Sequence, residues 1–120
     1  DSEGNYFCED LLSWIPNQKV DIVHSMEVLY YFKEPVKLLN HIFKNWLKPT
    51  GKLISGVDFY YENEKSHSWP IDLNVHMTLL SKNDWLSLFQ IAGFTDCHSW
   101  YANSSSDFHG TLCLFGHKHL

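Results

Sequence analysis

A short β-branched run, Val20-Asp21-Ile22-Val23, precedes a helical pattern, and a second apolar run, Lys52 to Phe59 (KLISGVDF), follows it. Between them Val36, Leu39, Ile42, Phe43, Trp46 and Leu47 recur at three-and-four spacing, which predicts one apolar helical face over 36–47. Pro35 suits the first turn of that helix, Lys48-Pro49 stops it, and Thr50-Gly51 supplies the turn out of it. Two strands joined through a helix must run parallel, because the helix carries the chain back to the starting end of the sheet. This unit therefore fixes the class before any other residue is considered.

The remainder extends the same pattern. Residues 60–80 are polar and aromatic with no steady period, and they read as a lid or substrate loop. Ser81 and Asp84 have the spacing of a capping box, while Trp85, Leu88, Phe89 and Ala92 share a face. Gly93-Phe94 fits a left-handed C-cap with its hydrophobic contact. Thr95 to Tyr101 and Gly110 to Phe115 read as two strands around a polar loop, 103–107, close enough to pair antiparallel. The order strand, helix, strand, helix, strand, strand predicts an α/β fold with an antiparallel last strand.

Composition narrows the function. At 120 residues the chain is expected to be one domain, and 44% hydrophobic with 16% aromatic residues argues against disorder. No apolar run approaches the roughly 20 residues of a membrane span, so no membrane partner is expected. The net charge is −5, and all nine basic residues are lysines. Arginine is the usual bidentate reader of phosphate and guanine, so a nucleic-acid partner is not expected either. Cys8, Cys97 and Cys113 are odd in number and widely spaced, which points to reduced thiols in a cytoplasmic setting.

Ligands of open α/β sheets bind beyond the carboxyl ends of parallel strands. His24-Ser25-Met26-Glu27 falls just after Val23, and Asp58-Phe59-Tyr60 falls at the end of the second run. The polar break in VDIVHSMEVLYYF thus reads as a strand end at a ligand crevice. The combination of VDIVHSMEVLYYF, a helix and LKPTGKLI resembles the second half of a class I S-adenosylmethionine-dependent methyltransferase. In that family a strand of this form runs into a helix that often opens Glu-Val-Leu, which would place Tyr30 and Tyr31 inside that helix, and Leu-Lys-Pro-Gly-Gly precedes the next strand. The stretch Phe108 to Phe115 is similar to the family's terminal antiparallel strand, inserted between its neighbours.

The departures are as informative. Thr50 stands where the family's first turn glycine usually falls, which a type I turn tolerates. Tyr30-Tyr31 replace a Glu-His pair found in many members, so metal-dependent chemistry through that pair is not implied and no metal ligand is expected. No GxGxG strand–turn–helix is present. The resemblance therefore implies the C-terminal part of a Rossmann-like methyltransferase sheet, with the glycine-rich cofactor half lying upstream.

By the resemblance, Asp10 would face the adenine amino group, with Glu9 a weaker candidate; the alternative is a helix N-cap for Leu11-Leu12-Ser13-Trp14. His24, Ser25 and Met26 would form the lip of the cofactor pocket, with His24 a candidate base whose pKa suits neutral pH. The plain alternative for His24 is a half-buried strand-end histidine. Tyr30, Tyr60, Trp69 and His76 are substrate-side candidates, joined by His67 and Met77, against the alternative that they anchor the loop to the core. An aromatic surface of this kind would hold a cationic amine by cation–π contact. Cys97 and Cys113 fall on strands and read as core residues, and His117-Lys118-His119 reads as a solvated tail.

The expected function is part of an S-adenosylmethionine-dependent methyltransferase acting on a small-molecule acceptor, the isolated piece being inactive. The alternative is a non-catalytic interaction or dimerisation module derived from such a half. In either case strand 20–23 would present an unpaired edge, inviting strand addition or a homodimer.

Overall fold

The protein, seen here as a computed structural model, is described over residues 10–119. Strands β1 (Val20–Met26), β2 (Leu47–Val57), β3 (Thr95–Ala102) and β4 (Thr111–His117) form one sheet in the order β1-β2-β4-β3. β1 is parallel to β2, while β4 runs antiparallel to both of its neighbours. The last strand is thus inserted between β2 and β3, as the resemblance implied.

Helices α1 (Pro35–His41) and α3 (Lys82–Ala92) pack together, and α3 also lies on β3 and β4. Leu38, Leu39 and Ile42 meet Trp85, Phe89 and Ala92 over Leu53, Val57, Leu112 and Leu114, all buried. The alternation along each strand puts Ile22, Met26 and Trp100 on the opposite face, in cross-strand rows with Gly56 and Cys113. There Ile22 is 57% exposed, Met26 45% and Trp100 42%. Within the described residues, the sheet is covered on one face only.

Local chemistry explains the helix ends. The Ser81 hydroxyl accepts the Asp84 N–H at 3.1 Å and the Asp84 carboxylate accepts the Ser81 N–H at 3.3 Å, completing the capping box. Gly93 has φ +119°, and Phe94 behind it donates to Phe89 O at 3.0 Å. This is the left-handed cap that its glycine predicts.

Four local expectations are corrected. β1 does not end at Val23 but continues through His24, Ser25 and Met26. Its interior polar side chain is accommodated because the Ser25 and Ser55 hydroxyls lie 3.0 Å apart on paired residues and satisfy each other. The helix expected over 36–47 is α-helical only to His41, and Ile42–Trp46 form a π-helical turn. That wider turn aims both the Trp46 Nε1 and the His41 Nε2 at Trp14 O, at 2.8 and 2.7 Å. Tyr30 and Tyr31 lie in a short 3₁₀ turn, Leu29–Tyr31, ahead of α1 rather than inside a helix. Finally, Thr50 has φ +71°. With Pro49 before it this is the demand of a type II turn, not type I, and the ladder skips from Leu47 to Lys52 across it.

Candidate functional site

Parallel β1 and β2 finish side by side at Met26 and Val57, and the polar groups beyond them are bonded to one another. Glu27 leaves β1 with φ +58°, a left-handed conformation that favours glycine, and its N–H donates to Gly56 O at 2.8 Å. Its Oε1 accepts from the Tyr30 hydroxyl at 2.8 Å and from the Asp58 N–H at 2.9 Å. Asp58 Oδ1 in turn accepts from the Thr111 hydroxyl at 2.7 Å, tying in the start of β4. Burial pushes the Glu27 carboxyl above its ordinary range, opposed by these hydrogen bonds and aided by the Asp58 charge. Burial and the adjacent Glu27 also raise the Tyr30 hydroxyl, which stays protonated as a donor.

Beside this knot, between β1 and α1, lies a cavity of about 270 Å³. Val23, Leu29, Leu38, Ile42 and Trp46 make it largely apolar, with His24, Ser25 and Met26 along one side and Leu11 at another. The lining fits one apolar wall of a nucleoside-type cofactor. It contains no carboxylate to grip a ribose, so among the described residues it does not fit the whole of one.

The expected residues distribute unevenly about this crevice. His24, Ser25 and Met26 all line the cavity, His24 and Met26 being exposed on the strand edge. Asp10 takes the capping role: its Oδ1 accepts the Leu12 N–H at 2.9 Å, and its carbonyl accepts from Ser13 and Trp14. Glu9 and Cys8 lie outside the described residues.

Two substrate-side candidates lie in the core. Tyr60 is fully buried, and its hydroxyl donates to Gly110 O at 2.6 Å. Tyr30 is 3% exposed, with its hydroxyl on Glu27 and its ring against Phe59. Side chains so enclosed and satisfied hold the crevice together.

The 60–80 segment is anchored to this knot. Thr78 donates from its N–H to Tyr30 O at 2.6 Å and from its hydroxyl to Phe32 O at 2.6 Å. Since that hydroxyl donates to a carbonyl, it accepts from His76, whose Nε2 lies 2.8 Å away. Trp69 opens a short helix, α2 (Trp69–Leu73), and stacks on Phe59 at 6.4 Å. His67 Nε2 donates to Tyr61 O at 2.7 Å, and Met77 is buried. Ile71 on α2 is 84% exposed.

Cys97 and Cys113 are free thiols on strands, each pushed up by burial, and neither is activated as a nucleophile. Among the described residues no helix is long and apolar enough to cross a membrane.

Sequence reasoning did not single out Glu27 as a partner of Asp58. The signal that links them is a positive φ and a contact 31 residues apart, neither visible in a linear pattern.

A sheet of this order, with its crevice at the carboxyl ends of β1 and β2, defines the fold of the class I S-adenosylmethionine-dependent methyltransferases. The chain belongs to the methyltransferase domain family, whose sequence pattern matches residues 3–99. It is similar to a Haloferax volcanii methyltransferase in complex with the Trm112 methyltransferase activator, at 25% identity and a TM-score of 0.77. That match covers 93% of this chain and 60% of the other. Human N-acetylserotonin methyltransferase in complex with S-adenosylmethionine matches at 16% identity and a TM-score of 0.69, over 93% of this chain and 33% of that one. The N-methyltransferase NodS of Bradyrhizobium japonicum, in complex with S-adenosylhomocysteine, matches at 16% and 0.65, over 93% and 53%. The chain thus spans 60% or less of the length of these three structures. No curated protein matches the sequence significantly.

Proposed function

We propose that this chain is the C-terminal part of an S-adenosylmethionine-dependent methyltransferase that acts on a small-molecule acceptor. One observation carries the reading: the apolar cavity flanked by His24, Ser25 and Met26 opens where parallel β1 and β2 end. The cofactor supplies a methyl group already activated on a sulfonium. This chain's residues supply enclosure and alignment, with Val23, Leu29 and Trp46 excluding water and Met26 forming an apolar lip. Ser25 is held by Ser55, and Glu27 is a positioning residue that locks the ends of β1 and β2 together. His24 is the candidate base on the acceptor side, and Asp10 the candidate adenine contact. Trp69 and His76 sit on the anchored 60–80 segment, which acts as the lid.

Residues preceding this chain in the full-length protein complete the site, so the isolated chain is inactive. The free thiols Cys97 and Cys113 support a reducing, cytoplasmic compartment. The absence of arginine supports a small acceptor over nucleic acid.

The test is transfer of a labelled methyl group from S-adenosylmethionine by the full-length protein to a panel of small amines, phenols and thiols. Transfer to one class, reduced about tenfold or more by Met26→Lys, is expected. Transfer that is indifferent to Met26→Lys would move the site elsewhere.

A second reading, an interaction or dimerisation module, rests on the outer edge of β1, unpaired among the described residues, and its exposed Ile22 and Met26. The Haloferax neighbour, itself in complex with an activator protein, is a precedent for a partner on this fold.

A further inference from the structure

At the pole of the sheet opposite the crevice, three side chains converge that the methyltransferase reading does not use. Asp96 Oδ2 lies 3.4 Å from His117 Nδ1 and 3.0 Å from His119 Nε2. These three ligand-type atoms all lie within 4.8 Å of one another. The tail is only partly solvated: His119 is exposed, while Lys118 is turned inward. Lys118 between the two histidines donates to Phe43 O at 2.6 Å and to Leu47 O at 2.9 Å, capping the end of the π-helical turn. With Lys118 turned inward, the alternation of an extended chain turns both histidines the other way. Asp96 is brought to them by a distortion: it has φ +53°, and the β3 register shifts between Thr95 and His98.

One carboxylate oxygen of Asp96 faces a ring nitrogen of each histidine. His117 Nε2 faces Thr50 O at 3.2 Å, and a carbonyl only accepts, so Nε2 carries the proton. In the neutral ring Nδ1 is then a bare lone pair, yet it faces a carboxylate oxygen that also only accepts. His119 Nε2 is aimed at that same oxygen, with the two rings 4.4 Å apart. A single divalent cation between Nδ1, Nε2 and Oδ2 would take a lone pair from each of these three atoms. For bonds of about 2.0–2.2 Å to nitrogen and oxygen, tetrahedral ligands sit roughly 3.3 Å apart, close to the 3.0 and 3.4 Å observed.

We propose that Asp96, His117 and His119 form a surface site for a divalent transition metal of the zinc type, with water in the fourth position. Two neutral imidazoles and one carboxylate suit zinc, copper or nickel and disfavour magnesium or calcium, which take oxygen ligands. The metal would clasp the end of β4 to the start of β3 and, through His117, to the turn at Thr50. Its role is structural, and it stands or falls independently of the methyltransferase reading.

The test uses the full-length protein, stripped with a chelator and titrated with zinc chloride at pH 7.5 and at pH 5.5. Zinc binding is compared among the wild type, Asp96→Asn and His119→Ala. Both substituted side chains are solvent-exposed, so both variants fold. The expected result is one zinc equivalent that the variants lose or bind about tenfold or more weakly, and that weakens at pH 5.5 as the imidazoles protonate. The wild type also gains thermal stability on adding zinc, and the His117 and His119 ring signals shift in NMR spectra. Equal zinc binding by wild type and both variants, or no zinc-dependent change in the His117 and His119 signals, would overturn the proposal.

Discussion

The Tyr30 hydroxyl donates to Glu27 Oε1 at 2.8 Å, and that same oxygen accepts the Asp58 N–H at 2.9 Å. One carboxylate oxygen therefore joins the segment leaving β1 to the segment leaving β2, at the place where a ligand crevice of this fold opens. Burial raises the Glu27 pKa above 4.5, so the folded state holds this proton more tightly than the unfolded chain. The resulting contribution is fully present below the unfolded pKa and is lost as pH rises from about 4.5 through the folded value. Glu27→Gln keeps an acceptor oxygen but cannot ionise. Thermal unfolding of this variant from pH 4.5 upward should show a flatter profile than wild type and no loss of stability at pH 7. A less stable Glu27→Gln at pH 7 would mean that the ionised charge itself holds the knot.

Thr50 carries a β-branched side chain at φ +71°, where the family resemblance puts a glycine. The left-handed strain, about 1–2 kcal/mol, exceeds the entropy that glycine adds to the unfolded chain. Thr50→Gly should therefore raise stability by about 0.5–1 kcal/mol, read as a higher urea midpoint at unchanged slope. Thr50→Ala keeps the Cβ and should not share the gain.

Gly116 on β4 lies against α3 and its cap. A Cβ there would sit 2.8 Å from the Cβ and Cγ of Phe94 and 3.0 Å from Phe89 Cδ2. Phe89 and Phe94 are themselves buried and packed ring to ring. Gly116→Ala should cost about 1–3 kcal/mol by overpacking, measured by chemical denaturation.

Among the described residues no strand pairs with the outer edge of β1, which is flanked by exposed Ile22 and Met26. The isolated chain should self-associate with rising concentration in sedimentation velocity, and Ile22→Lys should return it to monomer. A wild-type chain that stays monomeric at high concentration would remove the edge as an association surface.

Much of this architecture was legible in the linear sequence because it is written in local signals. The Ser81–Asp84 box, the Gly93 cap and the strand–helix–strand order each depend on residues a few positions apart. What escaped depends on long-range partners. Ser25 broke the apolar pattern of β1, and only its pairing with Ser55 shows that the strand runs on. Tyr60 looked like a site residue by its type and place, but Gly110, 50 residues away, takes its hydroxyl into the core. Asp96 was silent because its approach to the histidines requires a backbone distortion that no composition announces. The crevice expected at His24-Ser25-Met26 coincides with a cavity that these residues line, since parallel strand order directs attention to the carboxyl ends of the strands.

The central claim is that this chain forms one wall of an S-adenosylmethionine site completed by the rest of the protein. Titration calorimetry of S-adenosylhomocysteine tests it directly, run once with the full-length protein and once with this 120-residue chain. The account predicts stoichiometric binding by the full-length protein and no saturable binding by the chain alone. Tight one-to-one binding by the isolated chain, or none by the full-length protein, would contradict it.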